Sequence, residues 1–262
     1  VILNNQTGVA AVAAGKVELK DVNATSFDIN QLASGYTPEK LKLYDDSAGR
    51  LAQTVIAEVK SNAQDNEVYV IHTAFAATVE KANLWKIKIL RNAEAGYTLQ
   101  YAKIDDMEFQ TISINKNATH NFNFFALTAG QVNVEPAKDD WDLVWTKAMS
   151  TTAMGSTQIP YIFSDLVFTN YLNGVTALQV VVQNNDGSST GNPSYESFSE
   201  ADLAKFTLSA ARNTISSHWR ATTGNPSGAF QGRYYLVKDV AGNSYKLKFL
   251  AMGAGEDGGT RG

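Results

Sequence analysis

Cysteine is absent from the 262 residues. Its absence removes disulfides, thiolate nucleophiles, cysteine-ligated zinc, iron–sulfur clusters and c-type haem attachment together. It leaves the compartment open, because exported bacterial proteins often lack disulfides. Histidine is scarce: His72, His120 and His218 are the whole supply. A basic excess is missing as well, with 22 Lys and Arg against 26 Asp and Glu, a formal net charge of -4, and the cations scattered along the chain. That balance argues against a nucleic-acid partner.

No apolar run approaches the roughly 18–20 residues of a membrane helix, the longest being broken by Gly, Asn or charge. There is no initiating Met, no basic segment followed by an apolar one and no lipidatable Cys, so any targeting segment or anchor lies outside this sequence. The opening on VILNN reads as that of a fragment. Motifs of catalysis are missing too. No HxH, HExxH or His–carboxylate pair is present, and no nucleophile, base and orienter fall in identifiable positions, so a non-enzymatic protein is expected. Residues 8–17 (GVAAVAAGKV) glance at a phosphate loop, but the glycine spacing is wrong and no Ser or Thr follows Lys16.

What is present is a chain with 44% hydrophobic residues, enough for a substantial core, and a series of short strand-like runs. Residues 234–251 (YYLVKDVAGNSYKLKFLA) give the clearest signal: two extended runs about a Gly/Asn turn, with Tyr245, Leu247 and Phe249 on the buried face and Lys246 and Lys248 on the other. Residues 67–75, 84–91, 96–104, 109–114 and 122–127 continue the series, with a turn at Gly130, and residues 1–22 suggest two or three strands more. Thr37-Pro38-Glu39 starts a helical turn, and 51–59 is ambiguous. One helix is expected over 198–212, with Ser197 and Glu200 as a capping box. Two Gly/Asn/Pro/Ser loops flank it, 183–196 and 222–232, and are candidates to frame a site. The tail 253–262 has no apolar anchor and is expected to be poorly ordered.

Three anchors recur in one order. Residues 1–12 (VILNNQTGVAAV) align with 167–178 (VFTNYLNGVTAL) at an offset of 166, pairing Asn4 with Asn170, Gly8 with Gly174 and Ala11 with Ala177. Tyr69-Val70-Ile71 meets Tyr235-Leu236-Val237 at the same offset, and Trp85-Lys86-Ile87-Lys88 matches Tyr245-Lys246-Leu247-Lys248 after a six-residue difference in the turn. An internal duplication is expected. The fold class is therefore mainly β, antiparallel sandwich-like modules with one or two short helices, divided as 1–116, a module incomplete at its start, and 117–262. The first copy continues into GYTLQYAKI after its second anchor strand, whereas the second reaches a Gly-rich tail, so a final strand is expected to be missing there.

Taken in order, DDWDLVWTKAMS (139–150), SYESFSEADLAKF (194–206) and RYYLVKDVAGNSYKLKFL (233–250) resemble the HmuY family of haem-binding lipoproteins. The resemblance covers residues 139–262 best. It implies an all-β protein for haem or porphyrin capture and iron acquisition, exported to the outer-membrane surface or shed as a secreted form, and working with a TonB-dependent outer-membrane transporter. Two His ligands are implied in that family, one just before the FSE stretch and one shortly after the Trp equivalent to Trp219. The corresponding segments here, QNNDGSSTGNPSYE and RATTGNPSG, contain no His, Met, Cys or Lys.

A haem iron draws axial ligands from His, Met, Tyr or Cys, so the candidates reduce to His218, beside Trp219, and to Met149 and Met154 in the Thr/Ser-rich loop expected after WDLVW. His72 and His120 are weaker candidates, in a strand and an Asn-rich turn. Asp140 and Asp142 alternate with Trp141 and Leu143 and read as a solvated strand face rather than a calcium loop. The alternative to haem is an interaction module on the same scaffold, binding a glycan or an outer-membrane partner protein.

Overall fold

Val68, Val70 and His72 alternate with Tyr69 and Ile71 along one strand, and all five are buried. A strand buried on both faces must sit inside a sheet covered on both sides. The computed structural model, which describes residues 1–4, 6–224 and 227–252, places it so. β1 (Ala10–Gly15), β2 (Val68–His72), β3 (Leu84–Arg91), β4 (Tyr97–Lys103) and β5 (Gln110–Ile114) form one five-stranded sheet in chain order, every pair antiparallel. Val68, Val70 and Leu84 pack on Leu19, Leu32 and Leu43 from the long connection between β1 and β2. The other face carries Tyr69, Ile71, Ile87, Leu99 and Tyr101. Each fully buried Val or Leu of this kind contributes about 1.5–3 kcal/mol.

β6 (Phe124–Ala126) and β7 (Gly130–Val132) form a hairpin whose Phe125, with Leu127, packs on that second face. β8 (Leu143–Met154) and β9 (Thr157–Thr169) pair as a long ribbon about Gly155, whose φ of 62° suits glycine. The chain falls into two compact units: Val1–Glu135 with Ala148–Ile162, and Pro136–Lys147 with the residues from Phe163 onward. Residues 117–135 and the ribbon's tip therefore group with the first unit, not with the second as a boundary at 116 had it. Phe125 and Leu127 explain the difference, because their burial on the first sheet outweighs sequence proximity to the second.

In the second unit β10 (Thr176–Val181) is followed by a four-residue helix, α1 (Glu200–Leu203), and a small pair of strands, β11 (Arg220–Ala221) and β12 (Gly228–Ala229). β13 (Arg233–Lys238) then pairs with β10 on one side and with β14 (Ser244–Leu247) on the other, both antiparallel. Tyr234 and Leu236 join Val180 on one face. Tyr235 and Val237 join Ala177, Val167 and Trp219 on the opposite one.

The duplication holds at the level of register. Ala11↔Ile71, Val12↔Val70 and Ala13↔Tyr69 in β1–β2 become Ala177↔Val237, Leu178↔Leu236 and Gln179↔Tyr235 in β10–β13, each partner shifted by 166. Tyr69↔Ile87 and Ile71↔Trp85 likewise become Tyr235↔Leu247 and Val237↔Tyr245. Even the entry turn repeats: the Val9 amide donates to the Asn4 carbonyl and the Val175 amide to that of Asn170, both at 3.2 Å. The connection between the second and third strands differs in length, running over residues 73–83 in the first copy and 239–243 in the second.

Three local expectations are corrected. Residues 1–22 hold one strand, not two or three, because the stretch after β1 folds over Lys86 and Lys88 and supplies the carbonyls of Val22 and Val17 to their ammonium groups. The helix over 198–212 shrinks to Glu200–Leu203, with Ser199 and Asp202 rather than Ser197 and Glu200 as its capping box. Ser209 explains the early stop. It exchanges both backbone hydrogen bonds with Ala177, at 3.0 and 2.8 Å, so the exposed edge of β10 pulls the chain extended. Finally, Tyr245 is exposed while Lys246 is half-buried, reversing the burial, though not the faces, read from alternation at those two positions. The tail 253–262 lies outside the described residues.

Candidate functional site

The candidate haem ligands lie in different units and different surroundings. Met149 on β8 is 4% exposed in the core of the first unit, and its Cε lies 3.1 Å from where a side chain at Gly8 would begin. It fills a gap, as a flexible thioether does. Met154 ends the same strand at the turn and is exposed. His218 belongs to the second unit and is exposed too, with its backbone N–H donated to the Ile215 carbonyl at 2.9 Å and its Nδ1 3.5 Å from that of Thr214. Trp219, next along, is fully buried, stacked on Phe249 at 4.7 Å and donating from Nε1 to the Asp165 carbonyl.

The weaker candidates are occupied elsewhere. His72 is fully buried with Nδ1 3.2 Å from the Leu32 carbonyl and Nε2 unpartnered. His120 is tied to Asn117 within its own turn, beside a cavity of about 20 Å³. Among the described residues no group of three or more His, Asp or Glu is placed to hold a metal.

The two loops that flank α1 do meet. Gln183, Ser189, Ser194, Tyr195 and Glu196 from the first, and Gln231 and Gly232 from the second, line one open groove of about 260 Å³ with Arg233, Tyr234 and Lys248. Local folding explains the convergence. The Gly232 carbonyl accepts from both Val182 and Gln183 amides, at 2.8 and 3.0 Å, which pins the second loop to the start of the first. Thr190 Oγ1 and Asn192 Nδ2 then donate to the Val181 carbonyl at 2.6 and 2.8 Å, folding the first loop back on β10.

Aromatic and charged groups surround this groove. Tyr195 and Tyr234 meet edge to face at 5.7 Å, and the Tyr234 hydroxyl donates to the Pro193 carbonyl. Burial pushes its phenol up to about 12. The Arg233 guanidinium lies 3.9 Å from the Phe230 ring centre and donates to Asn185 Oδ1 and to the His218 carbonyl. Lys248 lies 3.9 Å from Glu196 and within cation–π reach of Tyr195 at 5.9 Å. Such a set can hydrogen-bond and stack on a polar ligand. It carries no imidazole, thioether or thiol; its tyrosines, Tyr195 and Tyr234, are the residues in it of a type that can ligate haem iron.

A second groove, in the first unit, was invisible in the sequence. It encloses about 620 Å³ and includes Lys16, Glu58, Asp65, Tyr69 and Arg91. Its rim is internally satisfied: Lys16 meets Asp65 at 3.3 Å, and Arg91 reaches the Val59 carbonyl at 2.9 Å and Glu58 at 3.5 Å. The Lys16 hydrogen bond, helped by Asn62, holds the Asp65 carboxyl below its usual range. Of the residues around the smaller groove, sequence reasoning reached the loops but not Tyr195, Arg233 or Lys248 as a set. Only their placement around the flanking loops signalled them. The chain matches no family model, no curated protein and no solved structure.

Proposed function

We propose that this chain is a non-enzymatic, β-rich binding module whose ligand is a polar, polyhydroxylated group, such as a sugar residue of a glycan, seated between the two loops of the second unit. The observation that carries the reading is the convergence of 183–196 and 228–232 with Arg233, Tyr234 and Lys248 on one open groove of about 260 Å³. That volume lies just below the roughly 300–1,000 Å³ of pockets that enclose drug-sized molecules, which suits one sugar ring better than a buried macrocycle. Tyr195 brings an aromatic ring to the groove lining, while Gln183, Ser189 and Lys248 offer the donors and acceptors a sugar requires. The HmuY-like order of motifs supports a place on the outside of a Gram-negative cell.

Binding to an immobilised glycan panel tests the reading, run beside a haemin titration followed at the Soret band. Gln183→Ala and Lys248→Ala are each expected to weaken glycan capture about tenfold, the effect of one lost polar contact, with no saturable Soret change in either redox state. A saturable haemin spectrum at micromolar protein, or glycan binding indifferent to both variants, would overturn it.

A further inference from the structure

Glu67 stands immediately before β2 and two residues before Tyr69, so both side chains fall on one face of the sheet. Tyr69 pairs with Ile87 in β3, and Ile89 and Arg91 follow on that same face. Glu67, Tyr69, Ile89 and Arg91 all line the groove of about 620 Å³ in the first unit, a volume within the roughly 300–1,000 Å³ of small-molecule sites. The rest of its lining comes from a wall, residues 56–66, that is tied down from within. Ile56 and Val59 are buried against the sheet. The buried Asn66 side chain accepts from the Lys60 amide at 2.7 Å and donates to the Lys60 and Asn62 carbonyls, both at 3.2 Å. The Tyr69 hydroxyl joins wall to floor, accepting from the Ala57 amide at 3.0 Å and donating to Glu67 at 3.3 Å.

The charges of this groove divide into two poles. Lys16 and Asp65 offset one another at 3.3 Å. Lys60 and Arg91 share a single carboxylate, that of Glu58, at 3.7 and 3.5 Å, which leaves positive charge in excess on their side. Glu67 meets the Tyr69 hydroxyl, and among the described residues no ammonium or guanidinium lies within ion-pair distance of it. Negative charge is in excess there. Ion pairs as exposed as those of Glu58 hold weakly, so a ligand carboxylate joins Lys60 and Arg91 without dismantling the wall. Continuing the Val68↔Lys88 register sets Glu67 beside Ile89, and Arg91 lies two residues, roughly 7 Å, further along. The charged ends of an extended peptide of two or three residues are separated by about 7–10 Å. We propose that this groove binds a short peptide by its free ends, with the terminal ammonium on Glu67 and the terminal carboxylate on Arg91 and Lys60. The site belongs wholly to the first unit and stands apart from the glycan reading of the second.

The test titrates the full chain calorimetrically with tri-alanine in three forms: both ends free, the amino end acetylated, and the carboxyl end amidated. The free peptide is expected to bind saturably with Kd below about 1 mM, and each blocked form at least about tenfold more weakly, the loss of one charge-assisted contact. Glu67→Gln keeps a hydrogen-bonding group beside Tyr69, and it should weaken the free peptide about tenfold while leaving the acetylated one unchanged. Arg91→Gln should do the same for the free against the amidated peptide. The blocked peptides probe the unaltered chain, so the outcome does not depend on either variant folding. Absence of saturable binding, equal binding of the three peptides, or a free peptide indifferent to Glu67→Gln would refute the proposal. So would loss of glycan capture in Glu67→Gln, which would assign this groove to a sugar instead.

Discussion

At the scale of the residue, the lysines of β3 and β14 behave least as their pattern suggests. LWKIKILR alternates apolar with Lys, which reads as a half-buried strand with one wet face. Lys86 is nevertheless fully buried, with Nζ 2.6 Å from the Val22 carbonyl, and Lys88 reaches that of Val17 at 2.8 Å. The repeat keeps the device. Lys88 lies 4.0 Å from Glu18, and Lys248 lies 3.9 Å from Glu196. A long aliphatic stem crosses the apolar layer and its ammonium meets carbonyls of the covering loop. Alternation cannot reveal this, because the covering loop is dozens of residues away. Lys86→Ala is expected to cost about 2–4 kcal/mol in urea denaturation, through lost stem packing and an unpaired carbonyl. Lys86→Met should recover about half of that, and exposed Lys20→Ala should stay within about 0.5 kcal/mol. Desolvation holds the Lys86 ammonium below the ordinary lysine range, against the opposing pull of Asp106, Asp105 and Asp21. The unfolded chain then binds the extra proton just below that range, so this group makes stability rise with pH there.

At the scale of the element, the strands of the first sheet were legible, whereas the long β8–β9 ribbon, half of it read as a Thr/Ser-rich loop, and the extent of the helix were not. Leu84–Arg91 and Tyr97–Lys103 coincide with their sequence runs to within a residue or so, since each has a sheet neighbour on both sides. Residues 198–212 carry good helix formers, yet Phe206 packs beside Tyr234 in the core cluster and Ser209 bonds to Ala177. Tertiary pairing of β10 outweighs a propensity worth only tenths of a kcal/mol per residue. The entry to β13 has its own constraint. A Cβ on Gly232 would stand 2.6 Å from the Gln183 carbonyl oxygen, a backbone atom with little room to move. Gly232→Ala should therefore destabilise by about 1–3 kcal/mol in thermal or urea unfolding. It should also loosen the loop junction beside the groove, whereas Gly130→Ala, with open space around it, carries only the left-handed backbone penalty of about 1 kcal/mol.

At the scale of the whole molecule, the duplication was the most legible property, because register follows from which face of each strand is apolar. The candidate site was legible only as a pair of loops. His218, Met149 and Met154 were chosen by ligand chemistry and by their place beside Trp219 and after WDLVW, and no local pattern could reveal that Met149 is core while Met154 and His218 stand exposed. Two copies of one register also predict two separate centres of stability. The slowest backbone amides in native-state hydrogen exchange are expected in Val68–His72 and again near 234–237, each an interior strand of its own sheet. Slow exchange confined to one of the two would contradict independent cores. The unequal connections between the second and third strands add a practical corollary. The first copy accommodates six more residues there than the second, 73–83 against 239–243, with the flanking ladders aligned. The tip between β13 and β14 is therefore a natural graft point, where an epitope tag or a dye-bearing loop can be spliced in without moving a single rung of the sheet.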